Sequence, residues 1–490
     1  MLQILMIVSY LIITTCVTLY SRRRAQKNTS AFYTANRVMS LPVVTALLFS
    51  AIVAGSGTIG NAANAFTGGL SNAIWANWGM AIGCFAVAFT VSKFYYTMAD
   101  KYGAMTIPSA FSVMMGERVR TIMVFIVALV YVIFYSSQAS AAATIIGPLL
   151  GIDATIVTWI ITALFIIAAI SGGMIGASWM SIVHTTVMCI GLAVVAFASV
   201  KSVGGLDTVI AAAPDSYFSI IGDKPMTTLA NALGTAISFL ASSNVTIALF
   251  GSRSPKEANR GIITAGALIL PFALLPAIIG ICAQVLMPGI NSGSALFLMA
   301  NSLGSVFGGL VSMAIIAAIW STAPGLLLIV SATMTKDFYL SIKPKANEKK
   351  QMHFSYAVII IAGILGTWIG MNGKSILDNM LGAFQIRSIV GIVLLAAIVW
   401  PRVNERSAFW SMLTGGITAA VWFFVGKPLG IEPLWAGSAI CLIVLIPLTL
   451  ASRERYSEGY RKYASARGKR LPDEKESPKP VYVTKHSDAE

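Results

Sequence analysis

Thirteen apolar stretches, each near the length that crosses a bilayer, leave this chain few folds to choose from. A membrane-crossing helix needs about 20 mostly apolar residues. Such stretches lie near 2–20, 41–62, 72–96, 118–146, 152–170, 177–200, 228–250, 261–286, 303–334, 353–371, 380–400, 406–426 and 434–451. Lipid offers backbone groups no hydrogen-bond partner, so runs of this length must be helices that satisfy themselves. The predicted class is an all-α polytopic membrane protein with 13 transmembrane helices. Only 11% of the 490 residues are charged and mean hydropathy is +0.79, whereas soluble domains carry about 25% charge. No polar stretch before residue 450 is long enough for a large soluble domain. The five cysteines, at 16, 84, 189, 282 and 441, sit singly in apolar runs. Without pairing or metal-ligand spacing they read as small buried hydrophobes.

The net charge of +15 raises the question of nucleic acid, and the distribution of charge answers it. Basic residues lie in short loops between apolar spans and in the C-terminal tail, which is the pattern that sets membrane topology. With the N-terminus outside, inward loops and tail hold 29 of the 34 Lys and Arg, among them Arg22 to Arg24, Arg253, Lys256, Arg260, Lys343, Lys349 and Lys350. Outward loops hold four (Lys201, Lys224, Lys374 and Lys427), and Arg387 falls within a span. Met1 to Tyr20 lacks a basic n-region and is followed by its charges, so it reads as a first spanning helix rather than a signal peptide. The expected location is a plasma membrane, of the bacterial inner type, with the C-terminus cytoplasmic. The tail from Arg453 to Arg470 interleaves basic residues with Tyr456, Tyr460 and Tyr463. It reads as a topology-setting end or as a segment lying on anionic lipid. After Pro472 the Lys/Glu/Pro-rich composition predicts disorder.

Helix breaks inside a membrane are tolerated only where they line a cavity or meet another group. The second span contains Ala54-Gly55-Ser56-Gly57-Thr58-Ile59-Gly60, which permits local unwinding; small residues there equally permit close helix packing. The seventh span contains Ser238 and Ala241-Ser242-Ser243-Asn244. Paired discontinuities in corresponding halves point to a central transport site. Their spacing of five spans implies two five-helix repeats, about 41–200 and 228–400, inverted because five is odd. The chain then divides into an extra helix and basic loop (1–30), a ten-span core (31–400), two further spans (401–451) and a basic cytoplasmic tail (452–490).

In the ninth span, Ala318, Ser321 and Thr322 share one helix face at i, i+3 and i+4. Pro324 has no N–H to give and frees the carbonyl of Trp320. Two hydroxyls and free carbonyls, facing further carbonyls of the second span, supply about five neutral oxygens. That set suits a hard monovalent cation, since Mg²⁺ and Ca²⁺ call for carboxylates. The competing account has both hydroxyls bonded back to their own helix, and for an isolated pair that account is the stronger.

Ala317-Ala318-x-x-Ser321-Thr322, followed by Ser331, Thr333 and Thr335-Lys336-Asp337-Phe338-Tyr339, resembles the hallmark helix of the sodium:solute symporter family. Ala31-Phe32-Tyr33-Thr34-Ala35-Asn36-Arg37 and Trp400-Pro401-Arg402-Val403-Asn404 resemble other parts of that family, so the likeness covers about residues 30–450. The resemblance implies a LeuT-like 5+5 inverted-repeat core and a sodium ion as coupling ion. It carries the family's sodium site onto the carbonyls of Ser50, Val53 and Ala318 and the hydroxyls of Ser321 and Thr322. It also places the solute between the broken second span (Ala54, Gly55, Ser56), the third (Trp75, Trp78), the seventh (Ser242, Ser243, Asn244) and the eleventh (Gln385, Arg387). Some members bind a second sodium; here Pro324 and Gly325 stand at its hydroxyl positions, and Ser181 and His184 replace its Asp and Gln. Both departures point to one sodium per cycle.

Arg387 is the most unusual charge in the chain. An intramembrane ionisable residue marks function by default, and a guanidinium suits a carboxylate, so a small organic anion is the expected solute. The alternatives are an arginine snorkelling to the outer interface or paired with Asp378. His184 reads as a structural, hydrogen-bonded histidine or as a proton relay. The expected function is sodium-coupled symport of a small organic solute, tested against proton-coupled symport and against a solute sensor with a symporter-like domain. The expected partners are solute and lipid, with no nucleic acid and no obligate protein partner. No paired acids, metal cluster or nucleophile–base set supports an enzyme.

Overall fold

The computed structural model describes residues 2–25, 29–372, 376–452 and 454–471. The side chains of Arg22 to Arg24, Lys374 and the tail from Pro472 onward lie outside the described residues. Among the described residues no strand forms, and one isolated backbone bridge pairs Met39 with Ser252. The main elements are α1 (Leu2–Ala25), α2 (Leu41–Val53), α3 (Asn61–Thr90), α4 (Glu117–Leu150), α5 (Ala154–Val203), α6 (Pro225–Leu240) and α7 (Ser243–Gly251). They continue as α8 (Pro255–Phe272), α9 (Leu274–Leu286), α10 (Ser305–Ala332), α11 (Glu348–Asn372), α12 (Ile376–Val399), α13 (Glu405–Phe424) and α14 (Pro433–Leu450).

Among the described residues ten helical stretches are long and apolar enough to cross a membrane, and Leu2–Val17 and Leu41–Val53 are shorter apolar helices. Of the three fewer than expected, two are the first and second spans, whose apolar helices are the shorter pair, and one arises where two helices run together. The segments expected at 152–170 and 177–200 form the single 50-residue α5. At about 1.5 Å per residue it would be roughly 75 Å long if straight, over twice the hydrocarbon thickness of about 30 Å. One crossing cannot contain it, and Gly173, at φ 52° inside the helix, divides it. Gly68 and Gly69 divide α3 in the same way. Both divisions fall between stretches that the sequence separates, 152–170 from 177–200 and 41–62 from 72–96.

α10 is the central element. Of its most apolar window 89% is buried, against 33% for α11 and for α14, which face outward. α10 packs on α5, α4, α1 and α11, and touches α2. It runs through Pro324 without interruption and continues through a π-helical stretch, Thr333–Tyr339. There the buried Asp337 carboxylate accepts from Thr106 Oγ1 at 2.6 Å and Arg120 Nε at 3.1 Å. The Thr-Lys-Asp sequence thereby fastens the end of α10 to the start of α4.

Candidate sodium and solute site

α2 ends at Val53 because Ala54 adopts φ 46°, ψ −177°, a backbone region that side chains with a Cβ rarely enter. A π-helical turn, Ser56–Gly60, then leads into α3. Beside this break lies the face of α10 read from the sequence. Ser321 Oγ is 2.9 Å from the Ala318 carbonyl oxygen and 3.4 Å from that of Ser50. Thr322 Oγ1 is 3.0 Å from Ala318 O and 3.1 Å from Ser50 O, and the two hydroxyls are 3.4 Å apart. Four oxygens of two helices thus form one buried cluster, with Val53 one turn along α2 at the break. Both accounts of the hydroxyls meet here: each donates back to Ala318 in its own helix, and each also reaches Ser50 across the interface.

The spacing fits a cation. An ion the size of Ca²⁺, which Na⁺ closely matches, sits about 2.3–2.6 Å from its oxygens, so neighbouring ligands of an octahedron are roughly 3.3–3.7 Å apart. The observed separations of 2.9–3.4 Å need only a slight expansion. All four oxygens are neutral, which matches a single positive charge. Two small cavities of about 20 Å³ each flank Ser321. One is lined by Asn244, Ser321 and Thr322 with Leu47 and Ile329, the other by Gly173, His184, Trp320 and Pro324. In the second, His184 Nδ1 is hydrogen-bonded to the Tyr10 hydroxyl of α1.

The seventh span breaks as expected. α6 ends at Leu240, Ala241 and Ser242 are non-helical, and α7 begins at Ser243. Both breaks are held by α4. The Gly55 amide donates to Gln138 Oε1 at 2.9 Å, and the Ser243 amide donates to the Tyr131 hydroxyl at 2.8 Å. Residues 131 and 138 are two turns apart on one face, so a single helix caps the re-entry of both discontinuous spans. Gly55 is needed for the approach: a Cβ there would stand 2.7 Å from Ile319 of α10 and 3.1 Å from Gln138 Oε1.

Arg387 of α12 is fully buried, which removes the snorkelling alternative. Its Nε donates to Ser238 Oγ at 2.7 Å and its Nη1 to the Tyr131 hydroxyl at 2.8 Å. The guanidinium also lies over the rings of Phe384 (4.8 Å) and Tyr131 (5.4 Å). Its Nη2 is buried without a hydrogen-bond partner, as are the hydroxyls of Ser242 and Ser243. No carboxylate pairs with it among the described residues; Asp378 is nine residues away, about 13 Å along the helix.

Other expected solute residues are drawn elsewhere. Gln385 turns to the far side of α12, donating to Asn231 and Glu432 at 3.2 and 3.1 Å and accepting from Leu434 N at 3.3 Å. Two residues from Arg387 on a helix is a rotation of about 200°, so both cannot face one solute. The Trp75 and Trp78 indoles donate to the carbonyls of Ile220 (2.7 Å) and Leu270 (3.0 Å), anchoring α3 to its neighbours. Asn244 lines the small cavity beside Ser321 and Thr322. Ser56 contacts Met380 of α12, its Oγ 2.8 Å from the sulfur, and Asn77 Nδ2 reaches Gly57 O at 3.4 Å. Sequence reasoning missed Gln138, Tyr131, Asn77 and Met380. An amide in an apolar run marks Gln138 and Asn77; Tyr131 and Met380 look like ordinary core.

The family model of the sodium:solute symporter family matches residues 32–415. The high-affinity proline transporter PutP of Bacillus subtilis (strain 168) is 26% identical over 446 residues, covering 86% of this chain and 93% of that protein. Sodium/proline symporter 2 of Staphylococcus saprophyticus is 22% identical, covering 87% and 86%. Among solved structures, a substrate-bound, outward-open Na⁺-coupled sialic acid symporter superposes with a TM-score of 0.76 at 18% identity, covering 92% of this chain and 97% of that one. Mhp1, a nucleobase-cation-symport-1 family transporter, does so at 0.58 and 16%, covering 89% and 98%. The paired broken helices, the clustered oxygens between α2 and α10, and these likenesses converge: the chain belongs to the sodium:solute symporter family, and it is a membrane transporter rather than an enzyme.

Proposed function

We propose that this protein carries one sodium ion and one small organic anion across the membrane per cycle, by alternating access. The observation that carries the reading is the buried oxygen cluster of Ser50, Ala318, Ser321 and Thr322. Sodium is cargo here: it joins α2 to α10 and organises the break at Ala54-Gly55. The solute lies between the two breaks, and Arg387 anchors its carboxylate. A buried charge without a counter-charge is costly, and an anionic solute supplies one to the guanidinium. Proline and sialic acid, for which two of the similar proteins are named, both carry a carboxylate, in proline's case within a zwitterion.

A single sodium is supported by the second small cavity. Its lining includes no carboxylate, the Ser181 hydroxyl is bonded to the Ala177 carbonyl at 2.8 Å, and His184 is engaged by Tyr10. The basic-loop asymmetry supports an N-terminus outside and a C-terminus in the cytoplasm. The same Tyr10–His184 pair is what favours the rival, proton coupling, which predicts transport that follows the pH gradient and ignores sodium.

Proteoliposomes with sodium or potassium gradients, together with thermal stabilisation of purified protein by small carboxylates, test the reading. Solute uptake and stabilisation are expected only with sodium. One charge-assisted contact is worth about 1.5–3 kcal/mol, so Ser321→Ala or Thr322→Ala should raise the half-saturating sodium concentration roughly 10- to 100-fold. The double variant should lose sodium dependence; its persistence there would show that the ion binds elsewhere.

A further inference from the structure

A crevice apart from both helix breaks lies between α1, α4, α5 and α10. It has a volume of about 180 Å³ and is lined by Leu11, Ala142, Val157, Leu164, Ile316 and Trp320, among other apolar side chains, and among the described residues no polar atom faces it. It therefore offers nothing to water, and apolar cavities of this size stay dry. At about 30 Å³ per water-sized group it has room for at least six methylenes.

The mouth of the crevice identifies its occupant. Ile156, Ile160 and Leu164 repeat every four residues on one face of α5 and are 55%, 53% and 40% exposed. Ile160 and Leu164 belong both to that face and to the crevice wall. On the flanking α1, Leu5, Val8 and Ile12 are exposed as well. In a membrane transporter such faces are covered by acyl chains, so the crevice is an inward extension of the lipid-facing surface. Tails are as apolar as leucine, so occupancy gains from packing rather than from transfer out of water. A chain filling the crevice restores the dispersion contacts that a void denies its walls.

We propose that one acyl chain of a bilayer phospholipid inserts between α1 and α5 and packs against Ile316, Ile319 and Trp320 of α10. Trp320 immediately precedes Ser321, and Ile319 is the side chain closest to the Gly55 position. The inserted chain thus backs the wall that carries the sodium oxygens, although the proposal stands without any assignment of the ion.

The test reconstitutes the full chain in phospholipid brominated at mid-chain and isolates Trp320 fluorescence as the difference between wild type and Trp320→Phe. Strong quenching of that component is expected. Val157→Phe and Ala142→Phe fill the crevice from α5 and α4 and should each reduce the quenching at least threefold. Native mass spectrometry should find a retained phospholipid on the wild type and its loss in the same variants, with an unchanged unfolding temperature identifying which variants are folded. An unquenched Trp320 would overturn the proposal. So would equal quenching and equal lipid retention in wild type and a folded filled variant, or recovery of detergent in place of phospholipid.

Discussion

Arg387 concentrates the question of substrate in one residue. Its side chain is fully buried and donates to a serine and a tyrosine, and one nitrogen has no partner. Truncating one member of a buried, hydrogen-bonded charge pair costs about 2–5 kcal/mol, so Arg387→Gln should weaken binding of the proposed carboxylate solute at least about 30-fold. Arg387→Lys should recover part of that loss, because it keeps the charge but not the fork. Competition assays with the solute and its uncharged amide analogue read this out: the amide should compete equally in both proteins. Unchanged apparent affinity in Arg387→Gln would remove the carboxylate anchor. That an arginine lay in an apolar span was legible in the sequence. Whether it paired with Asp378, reached the interface or sat dry was decided by Ser238 and Tyr131, 149 and 256 residues away.

At the scale of elements, α4 links the two helix breaks. Gln138 caps the backbone at Gly55, and Tyr131 caps it at Ser243 while also holding Arg387. Leaving a buried N–H unsatisfied costs about 1–3 kcal/mol, so Gln138→Leu and Tyr131→Phe should each lower the unfolding temperature by about 1–3 °C. They should differ in a second readout. Tyr131→Phe frees the Arg387 Nη1 as well, so solute-induced stabilisation should change there, whereas Gln138→Leu should alter sodium-induced stabilisation through Gly55 and the adjoining Ser50 carbonyl. Identical ligand responses in the two variants would mean that α4 does not read the breaks separately. Both breaks were visible as Gly/Ser-rich interruptions of apolar runs. The helix that holds them was not, because a cap 83 or 112 residues distant leaves no local trace.

For the whole molecule, stoichiometry has an electrical signature. One sodium with one monovalent anion moves no net charge, whereas a second sodium moves one. A net charge crossing 100 mV is worth about 2.3 kcal/mol, roughly 50-fold in accumulation. Steady-state accumulation in proteoliposomes should therefore be insensitive to a potassium-diffusion potential at fixed sodium gradient. A change of about 50-fold per 100 mV would point to a second coupled ion or a neutral solute.

The sequence by itself determined the class of molecule, because length and hydropathy dictate what a chain in lipid must do with its backbone. It also determined the face of α10 that carries Ala318, Ser321 and Thr322, since helical periodicity places them together without reference to anything else. Only the tertiary structure decided what that face meets. Ser50 lies 271 residues from Ser321, and until α2 packs against α10 the two hydroxyls have only their own helix to bond. It likewise separated Gln385 from Arg387 and set Asn244 beside Ser321 and Thr322. Those outcomes depend on side-chain direction and on which distant helices pack together, which apolar patterning does not encode.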